Sequence, residues 1–183
     1  STEAAVSAEG NPVAGNKPFH IGISGGSGAA LPDFQWEEKE SPLRRTPLYE
    51  IHKQSGAKII PFAGWEMPVW YSSVLEEHLA TRQAAGLFDV AHMGVYVVEG
   101  EDAAAFLDSV CANDIGKLNS GASVYTHFMP PDAKVIDDTL VYRRARDKYL
   151  MVVNASNDDK DRAWLEAVRD GNVKVDAARP WAR

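Results

Sequence analysis

A chain of 183 residues, 45% apolar and 25% charged, has the make-up of a globular protein with room for one good-sized domain or two small ones. A formal charge of −7 excludes nucleic acid as the default partner, since the densest cationic run is only Arg143, Arg144, Arg146 and Lys148 at an expected turn. There is no apolar run long enough for a bilayer, no basic-then-apolar signal and only one cysteine, Cys111; together these argue against a membrane span, a disulfide framework or a cysteine-based zinc site, and point to the cytoplasm.

Residues 1–42, rich in Ala, Gly, Ser and Pro with acids at Glu37, Glu38 and Glu40, read as an irregular extension that Phe19, Phe34 and Trp36 can pin. Thr46 is expected to cap a short helix, with Pro47 in its first position and Gly56 as its stop. Ile59-Ile60-Pro61-Phe62 reads as a short extended piece, and residues 63–68 as a loop loaded with aromatic surface. The clearest helix covers 74–85, where Ser73 and Glu76 form a capping box and Gly86 terminates it.

Alternation over 87–98 predicts one strand with Phe88, Val90, His92, Gly94, Tyr96 and Val98 on its apolar side. Residues 102–111 read as helix. Strands follow at 122–129 and 135–142, joined by a hairpin connection through residues 130–134, and a third strand at 149–153. Ser156 is expected to cap a last helix that runs to about Arg169, before Gly171. This order predicts an α+β fold with a mainly antiparallel sheet and flanking helices.

The chemistry concentrates in Val135-Ile136-Asp137-Asp138-Thr139-Leu140-Val141-Tyr142. Successive strand side chains point to opposite faces, so one of the two carboxylates can meet solvent while the other points into a packed or concave interior. A carboxylate in low dielectric needs a cation, a hydrogen-bond donor or a ligand to offset lost hydration. The competing reading leaves both acids at a hairpin turn in water. Tyr125 is expected close to Asp137 across the hairpin pair, and Asn154, ending the third strand, adds an amide at the same sheet end. Met67, Phe88, Met93 and Tyr125 suit either a core or the walls of a pocket for a flat ring. An aromatic platform, a buried acid and an amide suit a nitrogenous ring.

Other patterns carry less. Gly22-Ile23-Ser24-Gly25-Gly26 matches G-x-S-x-G, but Pro18, Gly28 and Pro32 deny it the strand before and helix after that a nucleophile elbow requires. The five histidines include no pair at helical ligand spacing, and His92 weighs more as a hydrogen-bonded imidazole than as a metal ligand. Glu76-Glu77-His78 weighs more as a capped, solvated helix face than as a catalytic set, and Arg82, one turn on, as a structural residue. No metal is expected.

Five blocks in order resemble one family. They are Thr46-Pro47-Leu48-Tyr49, the run from Pro61 to Pro68, Ala85-Gly86-Leu87-Phe88-Asp89-Val90-Ala91-His92-Met93, Val135-Ile136-Asp137-Asp138, and Val152-Val153-Asn154-Ala155 with Lys160-Asp161. The family is the glycine cleavage system T-protein, the tetrahydrofolate-dependent aminomethyltransferase. The resemblance implies transfer of a one-carbon unit from the aminomethyl-lipoyl arm of H-protein to tetrahydrofolate, with release of ammonia. It implies Asp137 as the key carboxylate and Met93, Tyr125 and Asn154 as folate contacts, and it assigns nothing to Asp138.

In fold terms it implies part of the T-protein folate-binding fold: residues 1–42 as extension, 43–86 as the first segment of a folate-binding domain, 87–170 as a ferredoxin-like antiparallel subdomain, and 171–183 as the start of a truncated return segment. The chain departs from the family in three ways. Ala133-Lys134 stands where a glycine usually precedes the acidic block, Ala91 replaces a serine, and family members continue well beyond the equivalent of Arg183.

Three rivals remain on sequence. A folate-dependent demethylase would share the folate site. A folate-binding module without transferase activity would carry a Lys-Gly-Cys-Tyr motif, which Val110-Cys111-Ala112-Asn113 does not match. A remnant with half a site would bind nothing.

Overall fold

The computed structural model describes residues 34–37, 41–130 and 134–178. Phe19, the G-x-S-x-G segment and Ala133 lie outside the described residues.

The first unit is a three-stranded sheet in the order β1-β3-β2, from β1 (Arg44–Arg45), β2 (Lys58–Phe62) and β3 (Trp65–Trp70). The expected loop at 63–68 is mostly strand. Ala63 and Gly64 form a two-residue turn with φ of 48° and 79°, so Phe62 pairs directly with Trp65. Pro61 is compatible with this sheet because β2 lies at its edge. Two further helices surround it, α1 (Tyr49–Gln54) and α2 (Val74–Gln83).

Thr46 does not cap α1. Its hydroxyl donates instead to Asp89 Oδ2 at 2.7 Å, and Leu48 holds the cap position without a side-chain bond. Gly56, at φ 79°, ends that helix with its N–H on the Lys53 carbonyl. Ser73 caps α2 by accepting the Glu76 N–H at 3.2 Å, as expected. Glu77, one residue beyond the capping-box acid, accepts the N–H groups of Tyr71 and Ser72 at 2.6 and 2.8 Å.

The second unit is a five-stranded, wholly antiparallel sheet in the order β5-β6-β7-β4-β8, with β4 (Gly94–Glu99), β5 (Ser123–Phe128), β6 (Asp137–Ala145), β7 (Lys148–Val153) and β8 (Lys174–Ala177). Helices α3 (Ala103–Val110) and α4 (Asp158–Val168) flank it. Val98, Phe128, Val141, Tyr149, Met151 and Val153 of the strands meet Leu107, Val110, Trp164 and Leu165 of the helices in one buried core. Phe34 packs on the core, its ring edge-on to Trp164 at 5.4 Å, whereas Trp36 is exposed.

The α+β class with an antiparallel sheet and flanking helices therefore holds. Two local expectations fail. The strand predicted over 87–98 begins only at Gly94, because Asp89 Oδ1 accepts the Ala91 N–H at 2.9 Å and the Met93 N–H bonds the Val90 carbonyl, which turns the chain. Leu87, Phe88 and Val90 are consequently exposed. Ser156 does not cap α4, whose cap position is Asn157.

Candidate functional site

Asp137 opens β6 on the helix-covered face, one residue pair beyond Thr139 and directly opposite Phe128. At this end of the sheet β6 begins, β7 ends and β4 begins, so Asp137, Asn154 and Met93 are delivered to one place by three neighbouring strands. The β2–β3 turn brings Phe62 and Ala63 to the same spot. The result is a cleft of about 320 Å³ lined by Phe62, Ala63, His92, Met93, Asp137, Asp138, Asn154, Ala155, Ser156 and Asn157. Trp65 and Met67 of β3 pack on Ala155, fastening the small sheet beside the cleft. Arg44, stacked over the Trp65 ring, also lies 3.7 Å from Asp159 in the first turn of α4.

Asp137 is 6% exposed and heavily solvated by protein. Its Oδ1 accepts from the side-chain amides of Asn157 at 2.7 Å and Asn154 at 3.1 Å. The Asn154 amide also reaches Asp138 Oδ1 at 3.1 Å, so one side chain ties both acids. Burial pushes the Asp137 carboxyl up, but hydrogen bonds from Asp161, Asn154, Asn157 and the Asp138 N–H outweigh it and hold the group below the ordinary carboxylate range. The positive end of α4, where Asn157 holds the cap position, favours the same charge. Asp161, fully buried behind Asp137, is displaced the other way, pushed up to about 9 by burial and then by the neighbouring Asp137. Two adjacent carboxyls with opposite displacements form a pair in which one is charged and the other neutral. Such a pair supplies a fixed anion facing a partly apolar hollow.

Residues 48–180 match the GCVT N-terminal domain. This chain belongs to that family. The relatives of this GCVT N-terminal domain include the aminomethyltransferase of Bacillus subtilis (strain 168), 47% identical over 134 residues, which are 73% of this chain and 37% of the relative. The aminomethyltransferase of Desulfitobacterium hafniense (strain DSM 10664 / DCB-2) is 50% identical over 129 residues, or 70% of this chain and 35% of that one. The crystal structure of glycine cleavage system aminomethyltransferase T from Bartonella henselae is similar at a TM-score of 0.72 and 40% identity, over 75% of this chain and 38% of that chain. The GCVT N-terminal domain thus spans between 35% and 38% of the length of these proteins.

Within the GCVT N-terminal domain, the residues singled out from sequence separate into two groups. Asp137, Met93 and Asn154 share the cleft. Tyr125 does not neighbour Asp137: it stands opposite Leu140 on the other face of the sheet, 58% exposed, and its hydroxyl donates to Asp138 Oδ2 at 2.7 Å. Asp137 therefore faces in and Asp138 faces the side that Tyr125 occupies, connected through Asn154. Phe88 is exposed, and Met67, on β3, is buried against Ala155.

Sequence reasoning missed Asn157 and Asp161 as members of the Asp137 cluster. Both had a readable signal. Residues 157 and 161 are one helical turn apart, and Asp161 falls at the apolar spacing of Trp164, Leu165 and Val168, where an acid is out of place. Lys160 contributes from the same turn, its ammonium donating to the Ile136 carbonyl at 2.8 Å and fixing the backbone just before Asp137.

Proposed function

We propose that this GCVT N-terminal domain provides the Asp137 side of a tetrahydrofolate site in an aminomethyltransferase of the glycine cleavage system. The donor is the aminomethyl group on the lipoyl arm of H-protein, the products include ammonia, and the setting is the cytoplasm. In this reading residues 43–86 contribute the first segment of a folate-binding domain and residues 87–170 a ferredoxin-like subdomain. The observation that carries it is the buried, amide-braced Asp137 at a cleft walled by Phe62, Met93 and His92.

That donor set fits a reduced pterin: an anion and amide groups for its ring nitrogens, with apolar and aromatic walls for its faces. Tetrahydrofolate, when bound, supplies the nitrogen that accepts the one-carbon unit. Met93 and Phe62 would bound the ring, and Asn154 would keep Asp137 and Asp138 in fixed relation. Tyr125 would act through Asp138. Asp137, held in its charged form, would stabilise positive charge as it develops on the transferred carbon and would orient the accepting nitrogen. Its depressed basicity suits these roles better than proton abstraction.

The test joins tetrahydrofolate titration, followed by tryptophan fluorescence, to ammonia release from aminomethyl-loaded H-protein. The expected result is binding, with Asp137→Asn retaining folate and losing about 100-fold or more in turnover. Near-full turnover in that variant refutes the electrostatic role, and no folate binding by the parent chain refutes the site. Binding without ammonia release from H-protein favours a demethylase or a non-catalytic folate module.

A further inference from the structure

We propose that Asp161 is a positioning residue for Asp137, holding it by a carboxyl-to-carboxylate hydrogen bond between α4 and β6. This deepens the functional reading above and rests on it for its bearing on catalysis.

Asp161 and Asp137 both carry unmet hydrogen-bonding capacity. Asp161 is 0% exposed, and neither of its oxygens receives a donor from the described residues. Asp137 Oδ2 is likewise buried, with the Asp161 carboxyl as its one candidate donor among the described residues, although Oδ1 has two amides. Buried acceptors left in this state cost free energy, and two contacting anions would repel as well. One proton shared across the contact removes the repulsion and satisfies Asp137 Oδ2. Its place is on Asp161. The charged groups acting there are Asp137 on β6 and, on α4 itself, Asp158 and Lys160, and the lysine ammonium already serves the Ile136 carbonyl. Asp137 has the amides of Asn154 and Asn157 and the Asp138 N–H to stabilise its charge, whereas burial drives Asp161 neutral, to about 9.

The consequence is mechanical and electronic. With Oδ2 engaged by Asp161 and Oδ1 by two amides, the carboxylate plane of Asp137 is fixed. Its charge persists, while its affinity for a proton is lowered. Asp161 would thereby make Asp137 a stabiliser of cations rather than a base.

The test is carbonyl-13C NMR titration of the full chain, assigned with Asp137→Asn and Asp161→Asn. Asp161 is expected to titrate near 9 and Asp137 below the ordinary carboxylate range. Asp161→Asn, which keeps a neutral donor, should leave the Asp137 midpoint low. Asp161→Leu, of similar size but with no donor, should raise it by about one pH unit. An Asp161 that titrates as an ordinary carboxylate overturns the proposal, as does an Asp137 midpoint unmoved in a folded Asp161→Leu protein. If the leucine variant does not fold, the parent and asparagine titrations decide alone. Folate plays no part in these measurements, so failure of the folate site and failure of the Asp161 contact are separate results.

Discussion

Asn157 stands at the cap of α4, yet its side-chain amide turns away from the helix and donates to Asp137 Oδ1 at 2.7 Å. A side chain of the preferred capping type is thus diverted to the acid. Asn157→Ala removes a hydrogen bond to a charged group and should lower stability by about 1.5 kcal/mol at pH 7, read by urea unfolding. Because Asp137 lies below the ordinary carboxylate range in the fold, its stabilisation is present above that range and lost as pH falls through its folded value. The deficit of the alanine variant should therefore shrink in acid. Asn157→Asp separates the two roles. A capping role predicts no loss, whereas the contact with Asp137 predicts destabilisation from like charge.

The strand alternation makes part of this site legible and hides the rest. Val135 to Tyr142 shows that Asp137 and Asp138 must face opposite ways, and the core residues Thr139 and Val141 decide that Asp137 is the inward one. Which face Tyr125 shares depends on pairing register, which loop length leaves open here. With Phe128 opposite Asp137, odd-numbered Tyr125 falls on the other face. The failure at 87–93 has a different cause: Asp89 binds its own neighbouring backbone, and that local bond overrides an apolar pattern that would otherwise continue. Ser156 and Asn157 are equally good caps by type, yet α4 has no side-chain cap bond, because the Asn157 amide is taken by Asp137.

Asp161 should make the protein less stable as pH rises. Its carboxyl is near 9 in the fold against 3.8 ordinarily, so its contribution is fully present below the ordinary value and is lost progressively as pH rises to the folded one. Asp161→Asn remains neutral throughout. Its stability relative to the parent should climb between about pH 4 and pH 9, at most by about 1.4 kcal/mol per pH unit. Urea midpoints at several pH values check this. A flat difference would show that Asp161 is charged in the folded protein.

Another acid, with its side chain buried, fastens the small sheet. Asp89 Oδ2 accepts from Thr46 Oγ1 at 2.7 Å and meets His52 Nε2 at 2.8 Å, while His52 Nδ1 lies 2.7 Å from the Tyr71 hydroxyl. Burial raises the Asp89 carboxyl, but the bonds from His52, Thr46 and the Ala91 N–H outweigh it and hold the group below its ordinary value. This stabilisation exists above the ordinary carboxylate range and disappears as pH falls through the lowered value. Thr46→Val, nearly isosteric, should cost about 1.5 kcal/mol at neutral pH and less in acid. Thermal unfolding of the variant at pH 7 and pH 3 tests both statements. Equal losses at the two pH values would assign the effect to packing instead.

Gly94 begins β4 beside the cleft, and its missing side chain is a packing requirement rather than a matter of backbone freedom, since its φ is not positive. A Cβ there would run into Asp158 Oδ1 and Val153 Cγ2 and lie 2.9 Å from Asp158 Cγ. Val153 is Gly94's partner in the ladder, and Asp158 opens α4 and bonds the Tyr96 hydroxyl. Making room means turning Asp158 off the Tyr96 hydroxyl, shifting Val153 in its strand, or moving the helix start that carries Asn157 to Asp137. Gly94→Ala should therefore lower stability by about 1 to 3 kcal/mol, the range for an overfilled core. It should also raise the Asp137 midpoint, because α4 moves away with its amide. Gly116→Ala is the control, meeting only Asp114 Oδ1 at 3.4 Å. Urea unfolding with carbonyl-13C titration of both variants decides it, and a Gly94→Ala protein as stable as the control would mean that α4 yields at no cost.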